Sequence, residues 1–167
     1  AEAHVNLGGA LKEQGQLEEA ETCYRQALDI QPSDGVKIKL ATMLPVVLPS
    51  VEEVAAIRKK FEDNLDALLK EDLTLKDPVL EVWQTNFYLA YQGYNDRELQ
   101  MKIARLYERA CPSLLYTAPH CASPAGERAA GKIKIGFVSR FLRDHSVGKM
   151  THGLIAKLSR TQFQVTA

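Results

Sequence analysis

The sequence predicts a mainly α-helical chain that gives way to an α/β unit near its carboxyl end. Three observations carry that prediction. Apolar residues recur at three- and four-residue steps through most of the first 111 positions, a stretch rich in Pro, Gly, Ala and Ser interrupts them over 117–131, and a strand-like run follows from Lys132 to Ser139. With 167 residues, the chain can form one domain or two small ones with a core of their own.

Charge removes two classes of partner. Lys and Arg together number 21, as do Asp and Glu, so the net charge of zero provides no field to steer the chain to nucleic acid or an anionic membrane. Cys23, Cys111 and Cys121 are odd in number and form no CxxC pair, which points away from a disulfide framework or a zinc site and towards a reducing, cytoplasmic compartment. No run approaches the roughly 18 apolar residues of a membrane span, and no basic-then-apolar leader opens the chain. Ala1 already lies in a helical pattern and Phe163 to Ala167 lie in an apparent strand, so both ends read as cuts in a longer protein.

Residues 1–34 carry the first element. Leu7-Gly8, Leu11, Ala20, Tyr24, Ala27 and Pro32 have the spacing of one tetratricopeptide repeat, with His4 and Leu11 where the pattern prefers aromatics. Gly8 and Ala20 are small where two antiparallel helices touch, Tyr24 and Leu28 fill the groove between them, and Pro32 stops the second helix. One such unit cannot bury its own face, so further repeats are expected before Ala1 in an α-α superhelix.

Residues 35–116 read as a helical adaptor without the 34-residue period. Val36 to Leu44 forms a helix halted near Pro45 and Pro49; Ser50 with Glu53 is a capping box opening a helix to about Glu71, with Val54, Ile57, Phe61, Leu65 and Leu68 on one face. Pro78 starts a third helix, with Val79, Val82, Phe87 and Leu89 apolar and Gly93 at its end. Asn95-Asp96 opens a fourth, whose Leu99, Ile103, Leu106 and Tyr107 share a face and which closes before Pro112. Trp83, Tyr88, Tyr91 and Tyr94 are expected to pack between helices, and Arg58, Lys59 and Lys60 to form a solvated face.

A linker spans 117–131, containing Pro119, Pro124, Gly126 and Gly131. Lys132 to Ser139 then reads as a strand entering a buried sheet, Arg140 to Gly148 as a loop, Lys149 to Leu158 as a helix with Met150, Leu154, Ile155 and Leu158 on one side, and Phe163-Gln164-Val165 as a second strand. Strand, helix and strand in so short a span imply a parallel sheet, the incomplete start of a Rossmann-like lobe over 132–167.

Ligands of such sheets bind beyond the carboxyl ends of the strands, where Ser139 to Gly148 falls. The loop brings Arg140, Arg143, the Asp144-His145 pair, Ser146 and the start of a helix, a set suited to an anionic group such as a diphosphate. Imidazole is also the side chain suited to proton exchange near neutral pH. The plain alternative is a solvated, charged turn. His152 lies off the apolar stripe of its helix and reads as a surface residue. His120-Cys121 lacks a second ligand pair for a metal, Cys111 and Cys121 lack an activating neighbour, and no GxGxxG calls for a dinucleotide.

Taken in order, the repeat, Asn86-Phe87-Tyr88-Leu89-Ala90-Tyr91-Gln92-Gly93, Asn95-Asp96-Arg97, Tyr107-Glu108-Arg109-Ala110-Cys111-Pro112, Lys134-Ile135-Gly136-Phe137-Val138-Ser139 and Arg143-Asp144-His145-Ser146-Val147-Gly148 resemble the O-GlcNAc transferase and SPINDLY-like family. The resemblance covers nearly the whole chain. It implies a repeat superhelix joined to a two-lobed, inverting, metal-independent glycosyltransferase of the GT-B type. Such an enzyme needs no cofactor and moves a sugar from a nucleotide sugar, UDP-GlcNAc or GDP-fucose, to Ser or Thr of acceptor proteins held by the repeats. His145 matches the family histidine near donor and acceptor and is the expected catalytic residue; Arg143, Ser146 and Lys149 are expected to bind substrate beside it. Lys149 stands where many relatives carry another residue. The family's nucleotide-binding residues come chiefly from the second lobe, so residues 1–167 alone are expected to be inactive. The rival reading is a non-catalytic tetratricopeptide scaffold that binds peptides in its concave groove.

Overall fold

A computed structural model describes residues 1–48, 50–121 and 131–167; Pro49, Pro124 and Gly126 lie outside the described residues. The chain divides into two compact units, Ala1–Tyr116 and Thr117–Ala167.

The first unit opens with α1 (Glu2–Glu13) and α2 (Leu17–Ile30), packed on each other. The pairing depends on small residues. Ala20 is fully buried, and a Cβ on Gly8 would stand 3.0 Å from Cε1 of Tyr24 and 3.2 Å from the Ala20 carbonyl oxygen. Tyr24 is buried here, which pushes its phenol above the usual range. Helix α3 (Asp34–Ala41) starts and stops earlier than the apolar spacing predicts. Its start is set by Ser33, whose Oγ accepts the Val36 N–H at 3.4 Å, and at its end Thr42 turns its hydroxyl onto the Ile38 carbonyl at 2.6 Å. Tyr24, Ala27 and Val36 form a small cluster joining the repeat to α3.

Helix α4 (Val51–Leu68) begins at the expected cap, with Ser50 Oγ accepting the Glu53 N–H at 3.2 Å. The carboxylate drawn to this cap is that of Glu52, held below its usual range by its own backbone N–H and then by Ser50. The helix predicted from Pro78 to Gly93 is broken. Only α5 (Pro78–Glu81) is α-helical; a 3₁₀ turn covers Phe87–Gln92, and Gly93 closes it at φ +74°. Local capping explains the break. Asp77 accepts the Val79 and Leu80 N–H groups, Glu81 folds back to accept those of Lys76 and Asp77, and Gln84 Nε2 donates to the Thr42 carbonyl at 2.7 Å. Trp83 bridges the two pieces at φ +46°.

Helix α6 (Arg97–Ala110) presents Leu99, Ile103 and Leu106 inward, as its spacing predicts. They join Ile38, Leu44, Phe61, Leu65, Leu68, Val82 and Leu89 in the main core, where each large apolar side chain contributes about 1.5–3 kcal/mol. Two expectations fail around this core. Trp83 is 69% exposed, and Tyr91 and Tyr94 are exposed with it, so only Tyr88 of that set packs inward. Nor is Arg58 solvated: its side chain is only 12% exposed. Its guanidinium reaches Asp96 at 2.7 Å, Gln92 Oε1 at 3.0 Å and the Asn95 carbonyl at 3.3 Å, and lies 5.1 Å from the Tyr94 ring centre. Arg58 therefore ties α4 to the start of α6. Lys102 makes a second tie, donating from α6 to Asp66 and Glu62 of α4, bonds that raise its ammonium group above the usual range. Lys59 and Lys60 are the residues of that run that keep solvated side chains.

In the second unit, β1 (Ile133–Gly136) and β2 (Phe163–Thr166) pair in parallel, Ile133 opposite Phe163 and Gly136 opposite Thr166, with α7 (Ser146–Lys157) between them in the chain. The parallel pairing follows the sequence reading. β1 is shorter than predicted: the Phe137 N–H still reaches the Thr166 carbonyl at 2.8 Å, but Val138 is 98% exposed. The predicted apolar side of α7 also splits, with Ile155 and Leu158 half-buried and Met150 and Leu154 exposed. Among the described residues no helix is long and apolar enough to cross a membrane.

Arg58→Met is expected to lower the unfolding free energy by about 2 kcal/mol, because it strands the shielded Asp96 carboxylate. Lys59→Met should stay within about 0.5 kcal/mol of wild type. Urea titrations of the two variants decide this, and equal losses would contradict the role given to Arg58. Limited proteolysis is expected to cleave within 117–131 before it cleaves α4 or α6; early cuts in those helices would contradict the division into two units.

Candidate functional site

The predicted site residues lie where β1 passes into α7. Helix α7 starts at Ser146, not at Lys149, because His145 caps it: the backbone there is extended (φ −148°, ψ 156°) and Nδ1 of the imidazole accepts the Val147 N–H at 3.2 Å. The His145 carbonyl accepts the Lys149 N–H at 2.9 Å, the first turn of the helix. Ser146 and Lys149, predicted as loop and boundary residues, therefore belong to the first turn of α7.

The remaining loop is folded onto itself. The Phe141 N–H donates to Ser139 Oγ at 3.1 Å, and the Phe141 ring stacks on His145 with centres 4.5 Å apart and planes 26° apart. The Arg140 guanidinium lies 5.1 Å from the Phe141 centre. Asp144 does not orient the imidazole; it pairs with Lys149 at 2.8 Å, both side chains exposed. Arg143 is exposed, its carbonyl accepts the His145 N–H at 2.7 Å, and Ser146 Oγ lies 3.5 Å from His145 Nδ1. Four of the predicted residues thus share the mouth of α7, Arg143, His145, Ser146 and Lys149. His152 is exposed on the same helix, as its position off the stripe predicts.

This arrangement has a chemical consequence. While Nδ1 accepts a backbone N–H, it keeps its lone pair, and the neutral ring carries its proton on Nε2. The other ring nitrogen of the half-buried His145 is then a hydrogen-bond donor beside the positive end of α7, with Arg143 nearby. An anionic or hydroxyl oxygen suits it better than a proton to be removed. The sequence alone does not single out Phe141; its one signal is an aromatic four residues before the histidine.

A second feature belongs to the first unit alone. A groove of about 380 Å³ runs between α2, α3 and α4 over an apolar floor that includes Leu28, Leu40, Ile57 and Phe61. Ion pairs stand at its rim, Glu21 with Lys60 at 3.6 Å and Lys37 with Glu71 at 2.9 Å. The Arg25 bond, and after it Lys60, holds the Glu21 carboxyl below its usual range. Among the described residues no three His, Cys, Asp or Glu side chains gather as a metal site.

The tight joint between loop and helix is Gly148. A Cβ there would fall 2.2 Å from the Arg143 carbonyl oxygen and 2.9 Å from that of Phe141, so no side chain fits unless the loop moves. Gly148→Ala is expected to speed amide hydrogen exchange across 140–150 by at least about tenfold, an opening worth 1.4 kcal/mol or more, and to leave α6 unchanged. Unchanged exchange in the loop would show that it yields without cost.

Residues 1–34 match the family model of the tetratricopeptide repeat. No curated protein and no solved structure matches the chain. The amino-terminal helix pair is therefore a tetratricopeptide repeat, a type of unit that serves protein–protein interaction.

Proposed function

We propose that this chain is part of a protein O-glycosyltransferase that transfers GlcNAc or fucose from a nucleotide sugar to Ser or Thr of proteins, with the repeats binding the acceptor protein. The observation that carries the proposal is the order of parts. A tetratricopeptide pair at the amino end is followed by a helical adaptor, and then by a parallel β1–α7–β2 unit whose strand-to-helix loop ends on His145. That loop lies where a parallel sheet presents ligands. Its residues, Arg143-Asp144-His145-Ser146-Val147-Gly148, are those that resemble the glycosyltransferase family.

In an inverting transfer the acceptor oxygen attacks the anomeric carbon while the nucleoside diphosphate leaves. Charge grows on the leaving diphosphate, and the proton given up by the acceptor hydroxyl passes to that diphosphate or to water. Arg143 and the amino-terminal end of α7 suit the first need. With Nδ1 engaged by Val147, the His145 ring offers Nε2–H to an oxygen, and so orients or stabilises instead of removing the proton. The groove between α2, α3 and α4 favours a second reading, a tetratricopeptide scaffold that binds a partner segment without chemistry.

The test is made in the full-length protein with labelled donor and a peptide acceptor. His145→Ala should reduce the transfer rate about 10²- to 10³-fold, the range for losing one positioned donor, and His152→Ala should be nearly silent. His145→Asn keeps a side chain able to cap α7 and controls for loss of the helix start. Equal rates in all three variants would remove His145 from the active centre and return its loop to a solvated, charged turn; no transfer by the wild type with either nucleotide sugar would sink the transferase reading and leave the scaffold.

A further inference from the structure

We infer that Phe141 is the positioning residue of His145, holding the ring against the α7 cap so that Nε2–H faces outward as a hydrogen-bond donor. The effect on activity rests on the transferase reading above; the orientation of the ring does not.

Asp144, adjacent in sequence, does not orient the histidine, because its carboxylate is committed to Lys149 at 2.8 Å. Two contacts fix the imidazole in its place. One is the Val147 N–H donated to Nδ1 at 3.2 Å, which sets which nitrogen points into the helix. The other is the Phe141 ring, stacked at 4.5 Å and 26°, which covers one face of the imidazole. The stack is itself anchored, since the Phe141 N–H is held by Ser139 Oγ and the Phe141 carbonyl lies against Gly148. Rotating the imidazole out of the cap would break both contacts together. The cap alone restrains the ring through one hydrogen bond from a half-exposed position; the stack makes that bond persist.

The geometry can be read directly by NMR on the isotopically labelled 167-residue chain in mildly alkaline buffer, with the His145 signal identified by its loss in His145→Asn. A scalar coupling across the hydrogen bond from the Val147 amide nitrogen to His145 Nδ1 is expected in the wild type, with the ring proton on Nε2. Phe141→Ala should abolish that coupling and Phe141→Trp should retain it, while backbone chemical shifts across residues 146–157 show α7 still formed in both. In the full-length enzyme Phe141→Ala should lower kcat about tenfold with KM for the donor little changed, and Phe141→Trp should restore it. A wild-type ring protonated on Nδ1, or a coupling that survives Phe141→Ala, overturns the inference. A full-length protein that shows the coupling but transfers no sugar overturns the proposed function and leaves the positioning of His145 established.

Discussion

The nitrogen of His145 that caps α7 is the same nitrogen that would have to be free if the ring faced a substrate with its lone pair. That competition governs the second unit. If Nδ1 holds Val147, the helix starts at Ser146, the loop is drawn back until Arg143 O meets Gly148, and Lys149 comes within reach of Asp144. Release of Nδ1 would cost the cap, worth about 1 kcal/mol for good capping residues, and would unseat the Phe141 stack as well. A histidine built into a helix start this way is suited to presenting a fixed donor, and poorly suited to shuttling a proton.

The first unit shows how one tetratricopeptide repeat is joined to a different helical structure. Inside the repeat, shape alone joins the helices, through Gly8, Ala20 and Tyr24. Beyond Pro32 the joints become specific polar ones. Asp34 accepts the Thr74 N–H at 2.9 Å, Lys37 reaches Glu71, Arg58 reaches Asp96, and Lys102 reaches Glu62 and Asp66. The repeat's geometry can be continued by a like neighbour, whereas these joints fix one partner and one register. α3 belongs to both arrangements, with Val36 in the repeat cluster and Ile38 in the adaptor core.

Much of this was legible in the sequence, and the misses have physical causes. Long amphipathic faces were read correctly at Phe61, Leu65 and Leu68 and at Leu99, Ile103 and Leu106, because burial repeated over several turns leaves a periodic trace. The strand, helix, strand order gave the parallel pairing for the same reason. What periodicity cannot show is a long-range polar bond, and Arg58, next to two lysines, looks like any solvated cation until Asp96 is placed beside it. Short helices are decided by single caps, so Ser33, Asp77 and Glu81 moved or broke elements that apolar spacing had drawn as continuous. At the site, the location of His145 was legible from its place between strand and helix. Its capping role was not, because histidine lies outside the usual set of capping residues.

In the proposed transferase, the loop entering α7 would meet the nucleotide of the sugar donor. Hydrogen–deuterium exchange of the full-length protein, with and without UDP or GDP at saturation, tests it most directly. One of the two nucleotides is expected to slow exchange across residues 140–149, while the groove segments of α2 and α4 exchange as before. Bound nucleotide with no protection in 140–149, or protection confined to α2 and α4, would contradict it.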